Sequence, residues 1–233
     1  MKAWFVNNCG LENVVEMDWS ETATLIDTGT KTVAGGVGIV GDGSSGSGPG
    51  SSRGSSRHAN SNGCGSGSAA DGAAAGAAAG VRPPLTITCL PCQHWCKRTA
   101  TDRNQCLWSS WGASTGNGSY FFGGDTGYCK EMWDKVGSSM GPVNLAAIPI
   151  GAYGAPNERW FHQHFHMDPV EAVKTHVQLK SKASIGVHWG TFQLTSEPLL
   201  EPPAKLAAAV KDAGLSPDTF VTLEHGESKS WEL

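Results

Sequence analysis

Asp125 stands in the turn-rich hexapeptide Gly123-Gly124-Asp125-Thr126-Gly127-Tyr128, directly after the apolar run Tyr120-Phe121-Phe122. An apolar strand that ends on glycines and delivers one carboxylate sets it on a loop at the strand's carboxyl end, where α/β proteins place their chemistry. Two histidines share this setting. His94 follows Thr86-Ile87-Thr88-Cys89-Leu90-Pro91-Cys92-Gln93, and His188 follows Ala183-Ser184-Ile185-Gly186-Val187. A histidine, an aspartate and a histidine, each just past an apolar run, point to metal ligands gathered at one sheet edge. Each also has a structural use on its own: a histidine can be held by hydrogen bonds among aromatic neighbours, and aspartate is a common turn former.

Three other constellations bear on the chemistry. Cys89-x2-Cys92-x3-Cys96 is half a zinc site, but no second Cys/His pair stands at zinc-finger distance and Cys89 falls in a predicted strand. His162-x-His164-x-His166-x-Asp168 has the look of a metal cluster. Alternate residues share a face only in a strand, whereas this stretch reads as a loop leading into a helix capped by Asp168; His166 alone is kept as a residue facing a substrate. Ser228 near His225 lacks the strand-turn-helix signature of a nucleophile elbow, which speaks against a serine hydrolase.

The elements that must position these residues begin at Met1. Glu12 to Trp19 alternates like a short strand. From Thr32 to Arg82 the chain is almost wholly Gly, Ser and Ala, a composition that cannot bury enough apolar surface to offset its ordering entropy. The predicted organisation is therefore an N-terminal strand segment at 1–31, a disordered insert at 32–82 and the main folded part at 83–233. In that part Leu85–Leu90 and Gln105–Ser110 read as strands, and Asn117-Gly118 supplies hairpin chemistry before Ser119–Phe122. Lys130–Ser139 has helical spacing and stops at Gly141-Pro142. Leu145–Ile150 is a buried strand by length. Asp168-Pro169 opens a helix, a strand through Val187 follows, Leu199–Ala213 is a helix ended by Gly214, and Phe220–Leu223 is the last strand. Strands first, then alternating helices and strands, predict a layered α/β or α+β domain.

Composition narrows the function classes. A net charge of −4 and a pI near 6.0 give no global attraction to nucleic acid or anionic lipid, and Lys97-Arg98 is the notable basic cluster. The 9 Trp and 7 Phe can furnish one core. Seven cysteines, an odd count without a framework, and a start lacking a charged-then-apolar leader predict free thiols in a reducing compartment, with an intracellular, cytoplasmic or peripheral-membrane location. No apolar stretch approaches the roughly 20 residues of a membrane-spanning helix.

Several segments together carry a family resemblance: Gln93-His94-Trp95-Cys96-Lys97-Arg98, Phe121-Phe122-Gly123-Gly124-Asp125-Thr126-Gly127-Tyr128, Leu145 to Tyr153, His188-Trp189-Gly190-Thr191-Phe192, Leu200-Glu201-Pro202-Pro203 and His225-Gly226-Glu227-Ser228. They closely resemble the C-terminal half of N-acylphosphatidylethanolamine-hydrolysing phospholipase D, a metallo-β-lactamase-fold enzyme. The likeness runs over Lys2 to about Asp27 and from Leu85 onward. It implies part of an αββα sandwich and two zinc ions that share a bridging aspartate and cleave the phosphodiester of an N-acylated membrane phospholipid, releasing an N-acylethanolamine and phosphatidic acid. By residue matching it places Asp125 at the bridge and at the centre of catalysis, His94 on one zinc and His188 on the other. Lys97 and His166 resemble residues beside the substrate phosphate.

The family's His-x-His-x-Asp-His motif is absent from this sequence, so each zinc is left with one histidine and a share of Asp125 where a catalytic zinc normally has three protein ligands. The expectation is a truncated, weakly active or inactive phosphodiesterase, with an apolar sheet face exposed. The alternative is a catalytically dead half that binds lipid, self-associates or pairs with a full-length relative. A different phosphodiester or a lactone is a third substrate reading, since the fold hosts many hydrolyses.

Overall fold

The computed structural model describes residues 2–11, 14–27, 37–40 and 83–232. Its elements are α1 (Lys2–Cys9), β1 (Thr22–Asp27), β2 (Val37–Val40), β3 (Leu85–Leu90), β4 (Ser110–Thr115), β5 (Gly118–Phe122), α2 (Lys130–Met140), β6 (Leu145–Pro149), α3 (Arg159–His162), α4 (Pro169–Gln178), β7 (Ala183–Val187), α5 (Glu201–Asp212) and β8 (Phe220–Val221). The described strands form one eight-stranded sheet in the order β2-β1-β3-β4-β5-β6-β7-β8. Pairing is antiparallel from β2 to β5 and parallel from β5 to β8. The change of pairing falls where helices begin to connect the strands, since parallel neighbours need a crossover and antiparallel ones only a turn. This is the layered α/β arrangement the sequence predicts.

The strand period sorts side chains onto two unlike faces. Phe121, Ala146, Ile148 and Phe220 point to one face, where Trp133 and Val136 of α2, Ala172 and Val173 of α4, and Leu206 and Val210 of α5 complete the core. Phe121 meets Trp133 edge to face, their ring centroids 5.7 Å apart. The helices approach closely: a Cβ built on Gly137 of α2 would lie 1.9 Å from the Gln178 carbonyl oxygen at the end of α4. Residues one step along the strands take the other face. Trp111 pairs with Phe122, and Tyr120 lies beside Leu145; Trp111, Tyr120 and Phe122 are all exposed, as expected for this face.

Asp168 and Pro169 start α4 as their types demand. The Asp168 carboxylate accepts from the Glu171 N–H at 2.9 Å, and Glu171 returns the contact to the Asp168 N–H at 3.1 Å. Several boundaries differ from expectation. The segment from Val14 to Asp18 is irregular, because Asp18 and Glu21 close a turn (Glu21 N–H to Asp18 O 3.1 Å, Asp18 N–H to Glu21 Oε2 2.7 Å) and the strand runs Thr22–Asp27 instead; residues 12 and 13 lie outside the described residues. The strand expected at Gln105–Ser110 begins only at Ser110. Upstream of it, the Asp102 carboxylate accepts from the N–H groups of Arg98 (2.9 Å) and Thr99 (2.7 Å), folding the chain into a loop. The hairpin turn is Gly116-Asn117, one residue earlier than read, since Gly118 already pairs with Thr115. The last strand is shorter, ending at Val221. The expected insert at 32–82 contains β2, paired with β1; the rest of that tract lies outside the described residues. No helix among the described residues is long and apolar enough to cross a membrane.

Candidate metal centre

Asp125, His94 and His188 reach one end of the sheet because each follows a strand of it: β5, β3 and β7. The backbone then pins the loops together. Gln93 bridges Gly127, with the Gly127 N–H donating to the Gln93 carbonyl at 2.8 Å and the Gln93 N–H donating to the buried Thr126 Oγ1 at 2.9 Å. A Cβ at Gly127 would lie 2.6 Å from the Gln163 carbonyl oxygen and 2.9 Å from Gln93 Nε2, so glycine is what lets the loops of His94, Asp125 and His166 meet. The Met167 N–H donates to the Thr126 carbonyl at 3.0 Å and holds the neighbouring His166 in place. On the other side a Cβ at Gly151 would come within 2.1 Å of the His188 carbonyl oxygen. His188 itself has φ 61°, a left-handed conformation that a residue with a Cβ adopts at a cost and that clusters at functional sites.

The side chains gather around that framework. His188 Nε2 lies 3.3 Å from Asp125 Oδ1. His166 stacks on His188 with centroids 5.3 Å apart and meets His94 edge to face at 5.4 Å. His94 Nδ1 lies 2.8 Å from the Trp95 carbonyl oxygen; a carbonyl only accepts, so Nδ1 carries the proton and Nε2 keeps its lone pair. That Nε2 is buried and has no hydrogen-bond partner, as are His188 Nδ1 and His166 Nδ1. Burial, and then the neighbouring imidazoles of His188 and His94, push His166 down to about 4, so at neutral pH it is an uncharged ring with a free nitrogen.

This donor set fits a divalent metal ion in kind: imidazole lone pairs and a carboxylate oxygen, with one histidine fixed in the ligand tautomer by a backbone contact. Among the described residues no group of three or more His, Cys, Asp and Glu is arranged to hold a metal ion, so the shell is partial.

The other predicted residues separate into two groups. His166 joins the cluster. Lys97 is exposed on the loop beyond Cys96, three residues from His94. His162 closes α3 and His164 is exposed, so the alternating histidines do not converge. Cys89 and Cys92 are buried free thiols, with Cys92 pushed up to about 12 by burial, which excludes a ready thiolate there.

Glu197 carries no sequence signal, yet its buried carboxylate accepts from the N–H groups of Ala152 (2.6 Å) and Gly154 (2.9 Å) and fixes the loop after β6 beside His188. Aromatic side chains adjoin the cluster at His94, and Phe192 lines one cavity with His188. Phe165 touches the rings of His94, Trp95 and Phe161. Trp160 is 70% exposed and Phe192, on the loop after His188, is 74% exposed. The two flanks are tied together through Ser196, whose hydroxyl bonds the Glu158 carboxylate.

A sheet that turns from antiparallel to parallel, helices on one face and histidines with an aspartate past its strand ends define a layered α/β domain with a candidate metal centre at one sheet edge. Residues 57–189 match the family described as β-lactamase superfamily domain, and the chain belongs to that family, with the metallo-β-lactamase fold. It is 44% identical over 151 residues to N-acyl-phosphatidylethanolamine-hydrolyzing phospholipase D 1 of Caenorhabditis elegans, covering 64% of this chain and 41% of that protein. It is 38% identical over 122 residues to the mitochondrial N-acyl-phosphatidylethanolamine-hydrolyzing phospholipase D of Saccharomyces cerevisiae, covering 52% of this chain and 25% of that protein. A solved metallo hydrolase from the archaeon Ignicoccus hospitalis superposes with a TM-score of 0.46 at 20% identity, over 64% of this chain and 54% of its own. The chain thus spans less than half the length of the two phospholipase D relatives.

Proposed function

We propose that this chain carries part of the active site of a zinc-dependent hydrolase that cleaves the phosphodiester of N-acylated phospholipids, releasing an N-acylethanolamine and phosphatidic acid. The observation that carries the reading is the convergence of His94, Asp125, His166 and His188, three of them with a buried, unpartnered ring nitrogen. His94 through Nε2, Asp125 and His188 would hold the metal. When bound, zinc supplies Lewis acidity toward a phosphoryl oxygen. His166, neutral at physiological pH, lies between the two metal-holding histidines and orients the phosphate by hydrogen bonding, while Lys97 on its exposed loop supplies a cation to an approaching headgroup. The exposed Trp160, Phe161 and Phe192 suit the boundary of a lipid surface, where aromatic side chains partition.

The exposed Trp111, Tyr120 and Phe122 favour a second reading, in which the chain acts as a non-catalytic lipid- or partner-binding unit, self-associating or pairing with a longer relative through that sheet face. Metal content and turnover separate the two. Purified chain is loaded with zinc, washed, analysed for bound metal and assayed on vesicles containing N-acylphosphatidylethanolamine, beside Asp125→Asn. The hydrolase reading expects bound zinc that is lost in Asp125→Asn with the circular dichroism unchanged, and N-acylethanolamine release that is weak at most from so partial a shell. Vesicle binding with no zinc held by either protein supports the second reading and overturns the first.

A further inference from the structure

The loop between β3 and β4 holds two cysteines that the metal chemistry does not use. Cys96 Sγ lies 2.8 Å from the Cys106 carbonyl oxygen, to which it donates, and accepts from the Cys106 N–H at 3.2 Å. A sulfur in contact with both the N–H and the C=O of one residue sits close to that residue's Cα, which brings the two Cα atoms to within about 7 Å, the reach of a disulfide. The backbone holds the approach: the Asn104 N–H donates to the Cys96 carbonyl at 2.7 Å, and the Cys96 N–H donates to Asn104 Oδ1 at 3.3 Å. Arg98 Nη1 donates to Cys106 Sγ at 3.3 Å, setting a permanent cation against that sulfur.

We propose that Cys96 and Cys106 form a reversible oxidation site, a dithiol that closes to a disulfide on exchange with a low-molecular-weight disulfide such as glutathione disulfide. Cys106 attacks first, because Arg98 steadies the negative charge that its sulfur carries in exchange. One sulfur–sulfur bond of the oxidant breaks, Cys106 is left bonded to one glutathione, and the other glutathione leaves as thiol. Cys96, already in contact with Cys106, then displaces the second glutathione. The protein loses two hydrogens and two electrons, and one glutathione disulfide becomes two glutathiones. The other described cysteines are set apart by their surroundings. Cys89 and Cys92 are buried, Cys129 faces the Glu131 carboxylate at 3.7 Å, and Cys9 is exposed, far from this loop in sequence.

Closure of this bond reaches the neighbourhood of the metal centre without touching a proposed ligand. It takes Cys106 Sγ from Arg98 and Cys96 Sγ from the Cys106 backbone, in a loop that starts two residues beyond His94 and includes Arg103, stacked over Trp95 with its guanidinium 5.6 Å from the ring centroid. The inference goes beyond the hydrolase reading and holds whether or not that reading does, because neither zinc nor turnover enters its test.

The folded chain is incubated with glutathione disulfide, remaining thiols are alkylated, and tryptic peptides are mapped by mass spectrometry without reduction. Trypsin cuts after Arg57, Lys97, Arg103 and Lys130 but not between Arg82 and Pro83, so a Cys96–Cys106 bond joins peptides 58–97 and 104–130; these also hold Cys64, Cys89, Cys92 and Cys129, and fragmentation of the joined pair locates the bond. The expected result is that joined pair in most molecules, with Cys89 and Cys92 alkylated only after unfolding. In Cys106→Ser the pair disappears and Cys96 reacts no faster than Cys9. Separate glutathione adducts on Cys96 and Cys106, a bond from either to a third cysteine, or two unreacted thiols under conditions that fully modify Cys9 would each overturn the proposal.

Discussion

Acidification should destabilise this domain through a buried histidine that has no part in the proposed chemistry. His176 of α4 is 3% exposed and stacks on Phe220 of β8 at 5.6 Å. Ser181 Oγ spends its proton on the Ala183 carbonyl (2.7 Å), so Ser184 Oγ donates to Ser181 (3.3 Å) and the His176 Nδ1–H donates to Ser184 (2.8 Å). Burial lowers the ring from its ordinary 6.5 to about 4. The unfolded chain therefore takes up the proton before the folded one, and stability is complete above about pH 6.5 and falls as the pH drops through 4. Linkage at these values gives a loss of roughly 2 kcal/mol by pH 5 and about 3 kcal/mol below pH 4. With a urea slope of about 1–3 kcal/mol per molar, the pH 5 loss moves the midpoint by on the order of 1 M. His176→Asn keeps an N–H where Nδ1 stands and cannot titrate. Urea melts of both proteins at pH 7.5, 6 and 5 should show the variant less stable at pH 7.5, from lost packing on Phe220, but with a pH slope shallower by that amount. His166, lowered to a similar value, remains in both proteins and cancels. Parallel slopes would refute the reasoning.

Gly137→Ala should destabilise the domain by at least about 1–3 kcal/mol, although alanine normally favours a helix, because the new Cβ meets the Gln178 carbonyl oxygen at 1.9 Å; a stabilised variant in urea melts would contradict the helix contact. The apolar sheet face should bind a hydrophobic dye in the native state, and Trp111→Lys with Phe122→Lys should remove most of the fluorescence without lowering the helical circular dichroism; unchanged fluorescence would place the dye elsewhere.

How much of this was legible in the sequence depends on whether the signal was local. α2 and α4 could be read because helix ends are written in a few adjacent residues: the Asp168-Pro169 start with Glu171 in reach, and the Gly141-Pro142 stop. β4 was missed for the opposite reason. Ser110-Trp111-Gly112-Ala113-Ser114-Thr115 is weakly apolar, and what makes it a strand is pairing with β3 on one side and β5 on the other, together with Met140 filling the space beside Gly112. β2 was hidden by composition, since only its partner β1 distinguishes Val37–Val40 from the small residues around it.

The candidate site shows the same division more sharply. Residue types past strand ends were enough to nominate His94, Asp125 and His188, because β3, β5 and β7 run the same way, β3 through two antiparallel steps and β7 through parallel pairing, and so deliver their carboxyl ends to one edge. What turns those three residues into a centre is not local to any of them. Gly127 admits three loops to one point, the positive φ of His188 aims its ring, and Glu197 fastens the chain beyond β6 from a distant segment. A glycine among thirty-one and a glutamate in an unremarkable loop look like any others until the fold brings the backbone against them. By the same argument, Lys97 was nominated only by family resemblance, and its exposed position makes it the member of the proposed set whose removal should spare metal binding while weakening the approach of an anionic headgroup.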